Sequence, residues 1–270
     1  MAVCAFAAPW LAVYAVPTTA GTGSEVTMAA VISDKQAGVK LSIIDPKLLP
    51  IGVALDPKLT LGLPPGITAA TGMDALIHAV ESYLSGLAYR QTEGWAVAAT
   101  RLILGNLEQA YRDGSDMAAR EAMLLGSYLA GMAFTRAGVG YVHAFAHQFG
   151  ALYHLPHGLA NAIGLPFVLD ASRPDCDSRL AQLARLVDLP CEGKSDEALA
   201  TAFIARVRQL NTAMAIPAAV AALREGDFER IVDNAFAEAH GTYGVPRYFE
   251  RTDALAVLQR LLPEQGAATA

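Results

Sequence analysis

Cysteine is scarce in this 270-residue chain: Cys4, Cys176 and Cys191 are the only three. No Cys-x-x-Cys pair occurs, which argues against both a disulfide framework and a thiolate zinc knuckle. Reduced thiols in a cytoplasmic protein are the simplest expectation. Clustered lysine and arginine are also missing, and the formal net charge is −6. Nucleic acid is therefore not an expected partner. No apolar run approaches the roughly 18 residues that read as a membrane-spanning helix, so no membrane partner is expected either. The apolar opening, residues 1–17, lacks the basic n-region of a signal peptide. Residues 11–16 read instead as a short buried strand that stops at Pro17. Neither a Gly-x-Ser-x-Gly elbow nor a P-loop lysine is present, and Cys176 and Cys191 have no histidine nearby, so acyl-transfer and P-loop chemistry find no support.

What is present is apolar and helical in character. Hydrophobic residues make up 53% of the chain, far too many for a disordered protein. Residues 11–16, 29–33, 39–43 and 53–55 are candidate strands by their β-branched and apolar content. From Pro65 the apolar period becomes 3.6. A helix capped at Thr68 or Thr71 is expected to run through Tyr83, followed by helices over 90–111, 117–135, 142–153 and 157–169. Three more are expected over 178–187, 196–210 and 228–239. Gly-Leu-Pro-Pro-Gly at 62–66 marks the change, giving an α/β part over 1–62 and an all-α part over 63–270. No internal repeat is evident, and the last seven residues read as a frayed tail.

The chemistry-bearing residues lie in three places. Gly-Met-Asp74-Ala-Leu-Ile-His78 puts a carboxylate and an imidazole one turn apart on one helical face, in apolar surroundings. His143-Ala-Phe-Ala-His147 and Pro-His157-Gly-Leu-Ala-Asn follow. Asp74 with His78, His143 and His157 makes a four-donor set for a divalent ion, with His147 as a further ligand or an acid/base group beside it. Without thiolates, that set suits Fe2+, Zn2+ or another borderline ion. His154 reads as a surface residue. The third place is Pro-Thr18-Thr19-Ala-Gly-Thr22-Gly-Ser-Glu-Val-Thr27, which reads either as a plain connecting turn or as a loop whose amides and hydroxyls meet a ligand.

These three segments, in this order and at these separations, closely resemble the iron-containing (group III) alcohol dehydrogenase family. The resemblance spans about residues 9–250. It implies the architecture shared with dehydroquinate synthase, in which a dinucleotide-binding α/β domain precedes an all-helical domain. It implies that Asp74, His78, His143 and His157 are metal ligands, and that His147 stands beside the nicotinamide and the substrate. By the same resemblance Thr18, Thr19, Thr22 and Thr27 are cofactor contacts. Lys40 matches a lysine near the cofactor ribose, and Leu59 a residue lining that site. Maleylacetate reductases resemble the chain too, but usually carry asparagine at the position of Asp74.

Two departures stand out. Family members carry a Gly-Gly-Gly-Ser pyrophosphate loop, which this sequence lacks, so the α/β part is expected to be a remnant that binds NAD(P)H poorly. Val245-Pro-Arg stands where Asn-Pro is usual.

The expected reaction is reversible hydride transfer between a primary alcohol or aldehyde and NAD or NADP, in a homo-oligomer. Two alternatives stay open: a metal-binding helical domain with little or no dehydrogenase activity, and a hydrolase using the same ligands to activate water.

Overall fold

The computed structural model describes residues 12–34 and 39–263. Cys4, the apolar opening up to residue 11 and the tail at 264–270 lie outside the described residues. All strands precede residue 62, and eight α-helices follow it among the described residues. No helix among them is long and apolar enough to cross a membrane. The chain forms two compact units, residues 1–83 with 87–138, and residues 84–86 with 139–270.

In the first unit, β1 (Tyr14–Ala15) pairs in parallel with β4 (Gly52–Val53). β2 (Ala29–Asp34) and β3 (Val39–Ile44) form an antiparallel ladder from Ala29 opposite Ile44 to Asp34 opposite Val39. Their Val and Ile content suits a pleated surface. α1 (Pro65–Leu84) begins before both expected caps. Proline is well placed in a first turn, where a missing N–H costs nothing. Thr68 and Thr71 are instead interior residues. The Thr71 hydroxyl donates back to the Ile67 carbonyl at 2.8 Å, and the Thr68 hydroxyl accepts from Arg120 at 2.8 Å. Arg120 is 3% exposed, and it also donates to the carbonyls of Gly114 at 2.9 Å and Leu63 at 3.4 Å. A buried guanidinium needs such partners.

α2 (Arg90–Arg112) and α3 (Met117–Ala137) complete this unit. Asp116 caps α3 by accepting from the Ala119 amide at 3.0 Å. The segment from Thr18 to Thr27 is seated by glycines. A Cβ on Gly21 would lie 2.6 Å from Thr71 Cβ of α1, and one on Gly131 of α3 would lie 3.0 Å from Gly23 Cα and 2.6 Å from Val26. Gly23 has φ +61°, where only glycine is unstrained. These glycines therefore let a loop lie directly on two helices. Gly131→Val is expected to cost about 1–3 kcal/mol by overpacking, read as a lower urea midpoint. An unchanged midpoint would show that the loop yields freely.

The second unit holds α4 (Tyr141–Tyr153), α5 (His157–Leu186), α6 (Asp196–Ala213), α7 (Phe228–Ala239) and α8 (Arg251–Leu261). α5 merges the helices expected over 157–169 and 178–187 and runs through Pro166 and Pro174. Tertiary contacts override the local penalty of proline. Ser172 and Cys176 are buried within this stretch, and the Asp170 carboxylate pairs with Arg208 at 2.6 Å and Arg260 at 2.7 Å. α8 was not expected. It starts at a reciprocal cap in which the Glu250 amide donates to the Asp253 carboxylate at 2.9 Å.

Candidate functional site

Asp74 and His78 lie on α1, 3% and 5% exposed. Met73, Ala75, Leu76, Ile77, Ala79 and Val80 around them are fully buried. The His78 ring stacks on Phe134 of α3, with centroids 4.1 Å apart and planes 17° from parallel. The stack fixes the imidazole plane, so the pair is held on one face as its spacing requires.

In the second unit, His143 and His147 stand one turn apart on α4. The helix ends at His154, exposed and in the left-handed region at φ 55°. Pro156 then starts α5, and His157 is its first residue. This tight reversal brings His157 back over α4. Its ring lies 5.4 Å from that of His143 and 5.2 Å from that of His147, the latter pair stacked at 18°. His143 is 3% exposed. The Asn161 side-chain amide is 3.1 Å from His157 Nε2.

Asp74, His78 and His143 are candidate metal-binding residues, all three buried. The donors fit the expected ion: one carboxylate oxygen and neutral imidazoles without sulfur are the set that borderline divalent ions take. A buried carboxylate otherwise carries a large desolvation cost.

His147 has a partner that no local spacing reveals. Glu238, at the end of α7 and 91 residues away, accepts from its Nδ1 at 2.5 Å. The same oxygen, Oε1, accepts from the Tyr243 hydroxyl at 2.5 Å, and Oε2 faces the Gln148 amide at 3.4 Å.

Thr18 and Thr22 are exposed, Thr19 is half-buried and Thr27 is buried, all on the segment seated by the glycines. The Thr22 oxygen accepts from the Ser24 amide at 3.2 Å. Lys40 lies in β3 opposite Ser33, and Leu59 lies exposed in the 3-10 turn Pro57–Thr60.

Glu25, in the same segment as the threonines, is only 3% exposed, and burial pushes its carboxyl above the ordinary range. A raised folded-state value means stability that is full below the unfolded value and is lost as pH rises through the folded one. Glu25→Gln keeps the shape without that loss. The variant is therefore expected to gain progressively on the wild type in urea denaturation as pH rises above about 4, the ordinary glutamate range. A difference that stays constant with pH would contradict the assignment.

The pattern described as the iron-containing alcohol dehydrogenase family, C-terminal, matches residues 68–262. A second, described as iron-containing alcohol dehydrogenase, matches residues 4–57. The chain belongs to the iron-containing alcohol dehydrogenase family. It is 38% identical over 256 residues to an NAD-dependent methanol dehydrogenase of Bacillus methanolicus, covering 94% of this chain and 67% of that protein. It is 39% identical over 255 residues to alcohol dehydrogenase 4 of Saccharomyces cerevisiae, covering 93% and 65%. A solved structure of the alcohol dehydrogenase from Oenococcus oeni superposes with a TM-score of 0.91 at 34% identity, covering 96% and 68%. The chain thus spans about two thirds of the length of these relatives.

Proposed function

We propose that this chain carries out reversible hydride transfer between a primary alcohol or its aldehyde and NAD or NADP. Fe2+, or Zn2+ in its place, is held by Asp74, His78, His143 and His157. What supports this reading is the chemistry of Asp74 and His78 in the first unit and of His143 in the second, each buried and none a thiolate, in a chain of this family. Bound there, the ion supplies Lewis acidity toward an alcohol oxygen.

The chain's own residues do the rest. His147 passes the alcohol proton to and from water through Nε2, because Nδ1 is engaged with Glu238. His157 stacks against His147 and limits its tilt. Thr18, Thr19, Thr22 and Thr27 meet the cofactor from their loop, Lys40 meets its ribose, and Leu59 lines its site. NAD is supported by the name of the Bacillus methanolicus relative. A cytoplasmic location suits the free Cys176 and Cys191. A homo-oligomer suits the exposure of Tyr14 at 73% and Ile51 at 65%.

The test is nucleotide reduction by the Fe2+-loaded chain with a series of primary alcohols, beside a fluorescence titration of NADH. Weak but measurable NADH binding and slow alcohol-dependent reduction are the expected results, since the sequence lacks the Gly-Gly-Gly-Ser loop. Metal uptake with neither of them would overturn the dehydrogenase reading in favour of metal binding alone.

A further inference from the structure

The carboxylate beside His147 belongs to a polar arrangement in the second unit that neither the motif nor the ligand set accounts for. Four side chains from two helices and a turn meet there. His147 and Gln148 come from α4, Glu238 from the last turn of α7, and Tyr243 from the reversal that follows. That reversal is a built feature. The amides of Thr242 and Tyr243 both donate to the Ala239 carbonyl, at 3.2 and 2.9 Å, and Gly241 sits at φ +75°. Glycine supplies the left-handed residue that ends a helix this way, and the turn returns the Tyr243 ring over the glutamate.

We propose that Glu238 is a positioning residue for His147: it accepts the Nδ1 proton, fixes the imidazole as a single tautomer, and leaves Nε2 as the nitrogen that exchanges a proton. Tyr243 in turn holds Glu238.

Three observations support this. The two 2.5 Å bonds converge on one oxygen, Glu238 Oε1, so the carboxylate is restrained from two directions. A carboxylate can only accept, so Nδ1 carries the hydrogen, and in the neutral ring Nε2 is then the bare nitrogen. The site is also partly closed, with the His147 side chain 20% exposed and that of Glu238 26%. Water therefore competes for these bonds less than it would at the surface. Gln148, facing Oε2 at 3.4 Å, completes the cradle.

The consequence for turnover rests on the dehydrogenase reading above, but the tautomer does not, so the experiment has two arms. In the first, the protein with isotope-labelled histidine is studied by nitrogen NMR, without added metal and with diamagnetic Zn2+. The wild type is expected to show His147 as the Nδ1–H tautomer in both. Glu238→Gln is isosteric but offers one acceptor oxygen to two donors, and is expected to shift His147 toward the other tautomer. In the second arm, the Fe2+-loaded Glu238→Gln variant is expected to lose about 10- to 100-fold in kcat with KM and metal content unchanged. Glu238→Asp restores a carboxylate on a shorter stem and is expected to recover part of that loss, which a merely structural role would not produce.

An Nε2–H tautomer in the wild type would overturn the proposal, as would a Glu238→Gln variant that keeps both tautomer and kcat. A wild type that turns over no alcohol would defeat the dehydrogenase reading, while the NMR arm still decides the role of Glu238.

Discussion

His143→Ala and Asp74→Ala are each expected to abolish stable metal binding and, with it, alcohol-dependent nucleotide reduction. Both residues are buried and set among apolar neighbours, so a lost donor is not readily replaced by water or by another side chain. Removing even an outer partner of a ligand typically weakens metal binding about 10- to 100-fold, and removing a ligand itself should exceed that. Elemental analysis of the purified variants reads the result, with about one ion per chain expected in the wild type. Asp74→Asn is the informative companion, since it keeps shape while removing the charge. Full metal occupancy in both alanine variants would remove these residues from the ligand set.

The second large effect is expected at His147. His147→Ala should keep the metal and lose turnover by roughly 100- to 10,000-fold, the range that a positioned acid/base group contributes. The reasoning is geometric. His147 shares a helical face with His143, but its Nδ1 is engaged by Glu238, and its ring is stacked on His157 and only half-buried. Metal content and kcat, measured on one preparation, separate the roles. Loss of metal equal to that of His143→Ala would make His147 a ligand. Unchanged kcat would remove it from the chemistry.

Much of the fold was legible because its determinants are local. α7 occupies residues 228–239 as expected, since Phe228, Ile231, Val232, Ala235 and Ala239 recur at helical spacing and are buried. Strands β2 and β3 were readable from their Val and Ile content, while their antiparallel pairing was not. Where the reading differed, the cause is non-local or weakly signalled. Pro166 and Pro174 suggest a break, yet α5 continues because Asp170 is anchored by arginines from α6 and α8. α8 follows a Gly- and Pro-containing stretch that masks its start, although Glu250 and Asp253 carry a capping pattern. The threonines expected to cap α1 are interior, because Pro65 already provides a first-turn residue.

The candidate site divides in the same way. Asp74 with His78, and His143 with His147, were visible because each pair lies one turn apart on one helix. The nearness of His157 to α4 depends on a reversal through His154 and Pro156 that spacing alone does not give. Glu238 and Tyr243 were missed. Their link to His147 crosses 91 residues of sequence, and a glutamate at the end of an amphipathic helix looks like any solvated charge. The glycines of the threonine-rich segment drew attention as possible ligand contacts. Their close approach to Thr71 and Gly131 gives them a packing role in addition.

The most direct test is metal replacement on the intact chain. The protein is stripped with a chelator, titrated anaerobically with Fe2+, and assayed at each step for NADH oxidation with a primary aldehyde. The account predicts no turnover in the stripped chain and a rise that levels off near about one ion per chain. Turnover that is equal with and without metal, or saturation at one ion per chain with no turnover at any point, would contradict it.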